Sequence, residues 1–210
     1  MWIKICGMTS EQAVEAALQE RADALGFVFA PSVRLLELAR AVQLAAPARG
    51  RAACVAVTLH PSQALIERIL REFAPDVLQT DLADIANLQL PAGLQVLPVV
   101  RAAATRAGAS LPDALPSRIL FEGPRSGLGE TVDWEQAKRL ATMTQLILAG
   151  GLAPRNVAAA IATVRPFGVD VSSGVEAAPG QKDPHRIVDF IQAARAALAG
   201  TQYESDRNRG

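Results

Sequence analysis

Gln145-Leu146-Ile147-Leu148-Ala149-Gly150-Gly151 is followed by a helical stretch, Arg155–Val164, and then by Gly168-Val169-Asp170-Val171-Ser172-Ser173-Gly174. The two short runs are almost continuously apolar, as expected of strands buried on both faces of a parallel sheet, and the segment between them is long enough for a crossover helix. The same grammar repeats outward in both directions. Strand-like runs are Trp2–Cys6, Ala24–Phe29, Ala52–Thr58, Val77–Thr80, Leu94–Val100 and Arg118–Glu122. Amphipathic segments at Glu11–Glu20, Glu37–Ala45, Pro61–Phe73, Trp134–Ala141 and Pro184–Leu198 alternate with them. The pieces around Asp84–Leu88 and Ala102–Leu111 are short or ambiguous.

Eight strand-then-helix units at roughly 25 residues each fit a compact (β/α)₈ barrel. A doubly wound open sheet shares the alternation, but the chain lacks a dinucleotide fingerprint. The expectation is therefore α/β, a single-domain (β/α)₈ TIM barrel over residues 1–200. The polar end, Thr201–Gly210, reads as a frayed tail.

Composition narrows the function. The chain has 210 residues, half of them apolar, and 21 basic side chains balance 21 acidic ones. Such balance argues against a nucleic-acid partner, which requires a basic face. No apolar run approaches the roughly 18 residues of a membrane helix, which argues against a membrane partner. Two cysteines do not make a disulfide framework, so the expected compartment is the cytoplasm. No cluster of His, Cys, Asp or Glu has metal-ligand spacing, so no metal is expected.

A barrel of this kind carries its site at the C-terminal ends of its strands. That rule selects Cys6 after the first strand, Arg34 after the second, Asp81 after the fourth and Glu122 after the sixth. Gly150 and Gly151 follow the seventh, and Asp170, Ser172, Ser173 and Gly174 close the eighth. The last two loops read as one phosphate-binding device, because glycines and a following helix N-terminus let backbone N–H groups approach an anion. Gly127 and Gly129, in Ser126-Gly127-Leu128-Gly129, read as a loop closing over the ligand.

Cys6 is either a small buried hydrophobe or, with its thiol lowered toward neutrality, a general base or nucleophile. Cys54, mid-strand, reads as structural. Glu122 is either a solvated loop acid or a carboxyl held protonated at the rim of a dry cavity. Arg34 suits a bidentate grip on a carboxylate. His60 and His185 read as surface or capping residues. A thiolate facing a carboxylic acid across a phosphate-anchored substrate suggests proton transfer, as in a sugar isomerisation.

These residues also carry a resemblance. Lys4-Ile5-Cys6-Gly7-Met8-Thr9, Ala22-Asp23-Ala24-Leu25-Gly26-Phe27-Val28-Phe29, Leu148-Ala149-Gly150-Gly151-Leu152 with Asn156-Val157, and Gly168–Glu176 resemble the phosphoribosylanthranilate isomerases from Trp2 to about Leu198. The resemblance implies a cofactor-free (β/α)₈ isomerase of tryptophan biosynthesis, a monomer or homodimer acting on a phosphorylated small molecule by an Amadori rearrangement. It implies Cys6 as the base at ribose C2′, Arg34 on the anthranilate carboxylate, and the Gly and Ser loops on the phosphate. The chain departs from that family at three places. Glu122 stands where an aspartate acid is usual, and the loop after it is shortened. Asp81 stands where a histidine is common, which makes it the alternative acid. Val33-Arg34-Leu35 replaces Pro-Arg-Tyr, keeping the guanidinium without the aromatic ring. Two rivals stay open: a bisubstrate isomerase of the histidine and tryptophan pathways, disfavoured because that group usually pairs two aspartates, and a catalytically silent phosphate-binding barrel.

Overall fold

The computed structural model describes residues 1–102, 115–124 and 132–207. Eight parallel strands close on themselves in sequence order: β1 Trp2–Cys6, β2 Ala24–Val28, β3 Ala53–Val57, β4 Val77–Asp81, β5 Gln95–Arg101, β6 Arg118–Glu122, β7 Gln145–Leu148 and β8 Gly168–Val171. The barrel is sealed where Trp2, Ile3, Lys4 and Ile5 pair with Gly168, Val169, Asp170 and Val171.

Side-chain parity sorts each strand into two faces. Ile3, Leu25, Phe27, Cys54, Leu78, Phe121, Leu148 and Val169 join one large apolar layer between sheet and helices. Leu97, Val99, Leu120, Ile147 and Ala149 form a second cluster inside the barrel, against Trp2, Val77 and Phe167. Both faces are apolar through most of the length, which is why the strands read as continuous runs.

The outer helices include α1 Glu11–Gln19, α2 Leu38–Ala45, α3 Gln63–Arg68, α4 Leu82–Ile85, α5 Trp134–Ala141, α6 Val157–Val164 and α7 Pro184–Arg207. Their starts follow capping chemistry. Ser10 accepts from Ala13 N at 3.3 Å, and Asp133 from Glu135 N at 2.9 Å. Asp183 Oδ1 accepts from His185 N at 2.9 Å, so the cap of the last helix is Asp183 and not His185. The amphipathic segment after β3 ends as a π-turn, Ile69–Phe73, which seats the Phe73 ring 5.3 Å from Phe27 and 5.2 Å from Phe29. The helix α7 runs on through residues 201–207, the first part of the polar end expected to fray. Beyond β8 a small antiparallel hairpin forms from β9 Glu176–Ala178 and β10 Gln181–Lys182.

No helix among the described residues is long and apolar enough to cross a membrane.

Candidate active site

The C-terminal ends of the strands surround a cavity of about 460 Å³. It brings together six of the residues selected from sequence: Cys6, Arg34, Asp81, Glu122, Asp170 and Ser172. Gly150, Gly151, Ser173 and Gly174 lie outside its lining. Gly127 and Gly129 fall outside the described residues.

On the floor, β1 directs Lys4 and Cys6 to the same side, two residues apart. Lys4 is fully buried, and its Nζ donates to Asp170 Oδ1 at 2.8 Å across the β1–β8 seam. The same ammonium lies near enough to the Cys6 side chain to interact with it electrostatically. Burial works against a charged Lys4, yet Asp170 and Cys6 outweigh it and hold the ammonium above the usual lysine range. For Cys6 the balance runs the other way. Burial raises the thiol, and the nearby Asp170 adds to this, although Lys4 and Lys182 pull it down. The expectation of a thiol lowered toward neutrality is thus corrected, because the cavity floor is too dry. Gly26, on β2 beside Cys6, leaves the room this cluster needs: a Cβ there would sit 2.9 Å from Cys6 Sγ and 3.3 Å from Lys4 Cε.

On one wall, Arg34 meets Glu176 in a fork, Nε to Oε1 at 2.7 Å and Nη2 to Oε2 at 2.8 Å. Lys182 Nζ reaches Glu176 Oε1 at 2.5 Å and the Ser172 carbonyl at 3.1 Å. Burial disfavours the Glu176 charge, but hydrogen bonds from Arg34 and Lys182 win and hold this carboxyl at about 2. The guanidinium expected to await a substrate carboxylate is therefore fixed in plane by one from the protein. Gly7, at φ +80°, lets the Arg34 side chain lie across the end of β1; a Cβ there would fall 2.4 Å from Arg34 Cδ.

On the opposite wall, Arg101 at the end of β5 holds both candidate acids. Its Nε and Nη2 donate to Asp81 Oδ2 and Oδ1 at 2.9 and 2.6 Å, and its Nη1 lies 3.0 Å from Glu122 Oε1. Glu122 is thus neither a solvated loop acid nor an isolated carboxyl in an apolar pocket. His60, on the surface as expected, also lines the mouth of the cavity. It takes φ +46°, and its Nδ1 lies 2.9 Å from Asp84 Oδ1, a bond that raises the imidazole.

The loops after β7 and β8 do touch. A Cβ on Gly174 would fall 1.9 Å from the Leu152 carbonyl oxygen, so the backbones are in close approach. Gly150 and Gly151 take φ +85° and +66°, and Asn156 pins their loop by donating to Gly151 O at 2.9 Å and accepting from Ala153 N at 2.8 Å. Open glycine backbone beside a hydroxyl-bearing loop and a helix start is suited to an anion.

Sequence reasoning placed Gln79 at the end of the fourth strand without giving it a role, and missed Lys4, Arg101, Glu176 and Lys182 as members of the site. Parity offered a signal for Lys4, which is two residues before Cys6 and therefore faces the same interior.

Comparison with known proteins agrees with this geometry. The family model for N-(5′-phosphoribosyl)anthranilate isomerase matches residues 3–193. The chain belongs to this family. The family's N-(5′-phosphoribosyl)anthranilate isomerase from Nitrobacter hamburgensis is 41% identical over 209 residues, 93% of each chain. The crystal structure of TrpF from Jonesia denitrificans superposes with a TM-score of 0.76 at 33% identity, covering 94% of this chain and 98% of that one. Another member, solved in complex with reduced 1-(o-carboxyphenylamino)-1-deoxyribulose 5-phosphate, gives a TM-score of 0.73 at 28% identity over 93% of this chain and 99% of its own.

Proposed function

We propose that this chain converts N-(5′-phosphoribosyl)anthranilate to 1-(o-carboxyphenylamino)-1-deoxyribulose 5-phosphate in tryptophan biosynthesis, with Cys6 as general base and Glu122 as general acid. Glu122 donates a proton to the furanose ring oxygen, and the C1′–O bond breaks to give a protonated Schiff base. The Cys6 thiolate then takes the C2′ proton. The electron pair released neutralises the iminium and leaves an enolamine, which tautomerises to the ketone. Membership of the isomerase family supports the reaction. The observation that carries the assignment of roles is the single cavity with Cys6 on its floor beside Lys4 and Glu122 on its rim.

Lys4 is the cation that favours the thiolate in a site where burial opposes it. Between the two candidate acids, both held by Arg101, Glu122 is preferred because it stands at the end of β6, the position that carries the acid by resemblance to the family. Arg34, oriented by Glu176, faces the anthranilate carboxylate, and the loops bearing Gly150, Gly151, Ser172, Ser173 and Gly174 take the phosphate. Anchoring both ends of the substrate aligns C2′ and the ring oxygen with base and acid.

Turnover of freshly made phosphoribosylanthranilate, followed by fluorescence, tests the assignment. Cys6→Ser and Glu122→Gln should each lower kcat by about 10²–10⁴ with little change in binding of a product analogue. Wild-type kcat in Glu122→Gln together with a crippled Asp81→Asn would transfer the acid role to Asp81. A wild type that binds the analogue without turnover would leave a silent phosphate-binding barrel.

A further inference from the structure

Gln79 is 5% exposed, and its Oε1 is buried without a hydrogen-bond partner. Trp134 Nε1 is the other such atom among the described residues, and Trp134 does not line the cavity, whereas Gln79 does. The strand around Gln79 is firmly held. Its own carbonyl accepts from Thr58 N at 2.9 Å and from Thr58 Oγ1 at 3.1 Å. Its registered neighbours across the sheet, Val57 and Leu97, are apolar. An apolar side chain would therefore suit position 79 if packing were all that mattered there. A buried acceptor left without a donor is unfavourable in the empty protein.

The position of this atom also matters. Gln79 shares the cavity with Cys6 on the floor and with Asp81 and Glu122 on the rim. The charged groups of both walls are engaged with partners supplied by the protein, whereas the Gln79 oxygen is not. Lys4, Arg34, Arg101 and Lys182 are all donors, and all have carboxylates to meet. The oxygen itself has almost no exposed surface, so turning the carboxamide about its last bond is what presents it to a ligand that supplies an N–H or O–H between the anion anchors.

We propose that the Gln79 carboxamide oxygen is a substrate-binding group that accepts a hydrogen bond from an N–H or hydroxyl of the aminosugar segment. The inference rests on the reaction proposed above and adds a discriminating contact to it. A site built to hydrogen-bond a donor discriminates against ligands lacking one, because the buried acceptor would remain unpaired. Gln79 thus distinguishes a hydroxylated, N-linked sugar from an apolar aryl ligand that the anion anchors alone would admit.

The experiment compares wild type with Gln79→Met, a near-isosteric change that removes the acceptor, and with Gln79→Leu as a second apolar variant. Thermal unfolding without ligand, calorimetric binding of reduced 1-(o-carboxyphenylamino)-1-deoxyribulose 5-phosphate, and turnover of phosphoribosylanthranilate are measured on each. The expected result has two parts. The unliganded variants melt at or above the wild-type temperature, while analogue affinity and kcat/KM both fall about ten- to a hundred-fold. A purely structural Gln79 would give the opposite pattern, a lower melting temperature with affinity within twofold of wild type, and would overturn the proposal. Wild type that binds the analogue but turns over no substrate would refute the proposed reaction, while the affinity ratio would still decide the role of Gln79. Wild type that neither binds nor turns over would overturn both.

Discussion

Removing the buried ammonium of Lys4 separates its electrostatic role from its structural one. In a Cys54→Ala background, Cys6 is the only thiol, so alkylation by iodoacetamide as a function of pH reports its ionisation. Two unit charges about 4 Å apart interact by about 4 kcal/mol at an effective dielectric near 20. At 1.36 kcal/mol per unit, that is about three units of thiol ionisation. Lys4→Met should therefore shift the alkylation limb to higher pH by between about one and three units. The sign follows from the charge: losing a cation disfavours the thiolate, and the remaining Asp170 repels it further. The same substitution leaves Asp170 buried and unpaired, which costs about 3–5 kcal/mol of stability, read from the urea midpoint. Adding Asp170→Asn removes that orphaned charge, so the double variant should recover part of the stability. Its thiol should stay less reactive than wild type, because the cation is still missing. An alkylation profile in folded Lys4→Met superimposable on the parent would refute the role given to Lys4, and kcat should follow the thiolate population if Cys6 is the base.

Glu176 ties stability to acid. Its folded-state carboxyl lies at about 2 against an ordinary 4.5, so its contribution is complete above pH 4.5 and is lost as pH falls toward 2. The gap is worth up to about 3 kcal/mol. Urea unfolding of Glu176→Gln should show a weaker stability midpoint at neutral pH and a flatter decline through that acid window, and an equally steep decline would count against the assignment. Gly26→Ala drives a Cβ to 2.9 Å from Cys6 Sγ and 3.1 Å from its Cα. Overpacking of that kind should cost about 1–3 kcal/mol and, by displacing the thiol, lower kcat at least about tenfold. Cys54, lifted to about 11 by burial in the outer core, should resist alkylation at neutral pH until the protein unfolds, as mass spectrometry of labelled native protein would show.

The barrel was legible because its signals are local. Ala24–Val28 and Gly168–Val171 announce buried parallel strands by composition alone, and the helical spacing of Glu11–Glu20 and Trp134–Ala141 announces the helices between. The rule that strand C-termini carry the site then found Cys6, Asp81, Glu122 and Asp170 from position alone. The partners of those residues were not legible, because each contact depends on closure of the barrel. Lys4 and Asp170 are 166 residues apart, and Arg34 and Glu176 are 142 apart. Glu122 read as either a solvated loop acid or an acid in a dry pocket, because nothing local says that Arg101 of β5 faces it. For Cys6 the choice between a buried hydrophobe and a lowered thiol stayed open for the same reason, because position at a strand end does not show that closure of the barrel buries the thiol.

A net charge of zero conceals how unevenly the charge is placed. At one end of the barrel Lys4, Arg34, Arg101 and Lys182 are set against Asp170, Glu176, Asp81 and Glu122. Such pairs add little stability over apolar packing, so stability alone does not explain them. Their value lies in holding donors in fixed orientation inside a site that will receive charge, with little reorganisation left for the reaction. The carboxylates keep each cation in place while the cavity is empty, and an anionic substrate then competes for donors already aimed at it. Gln79 differs from these groups because no protein group takes the substrate's place. The charged pairs let the empty barrel stand, and the unpaired carboxamide leaves it incomplete until a ligand with a donor arrives.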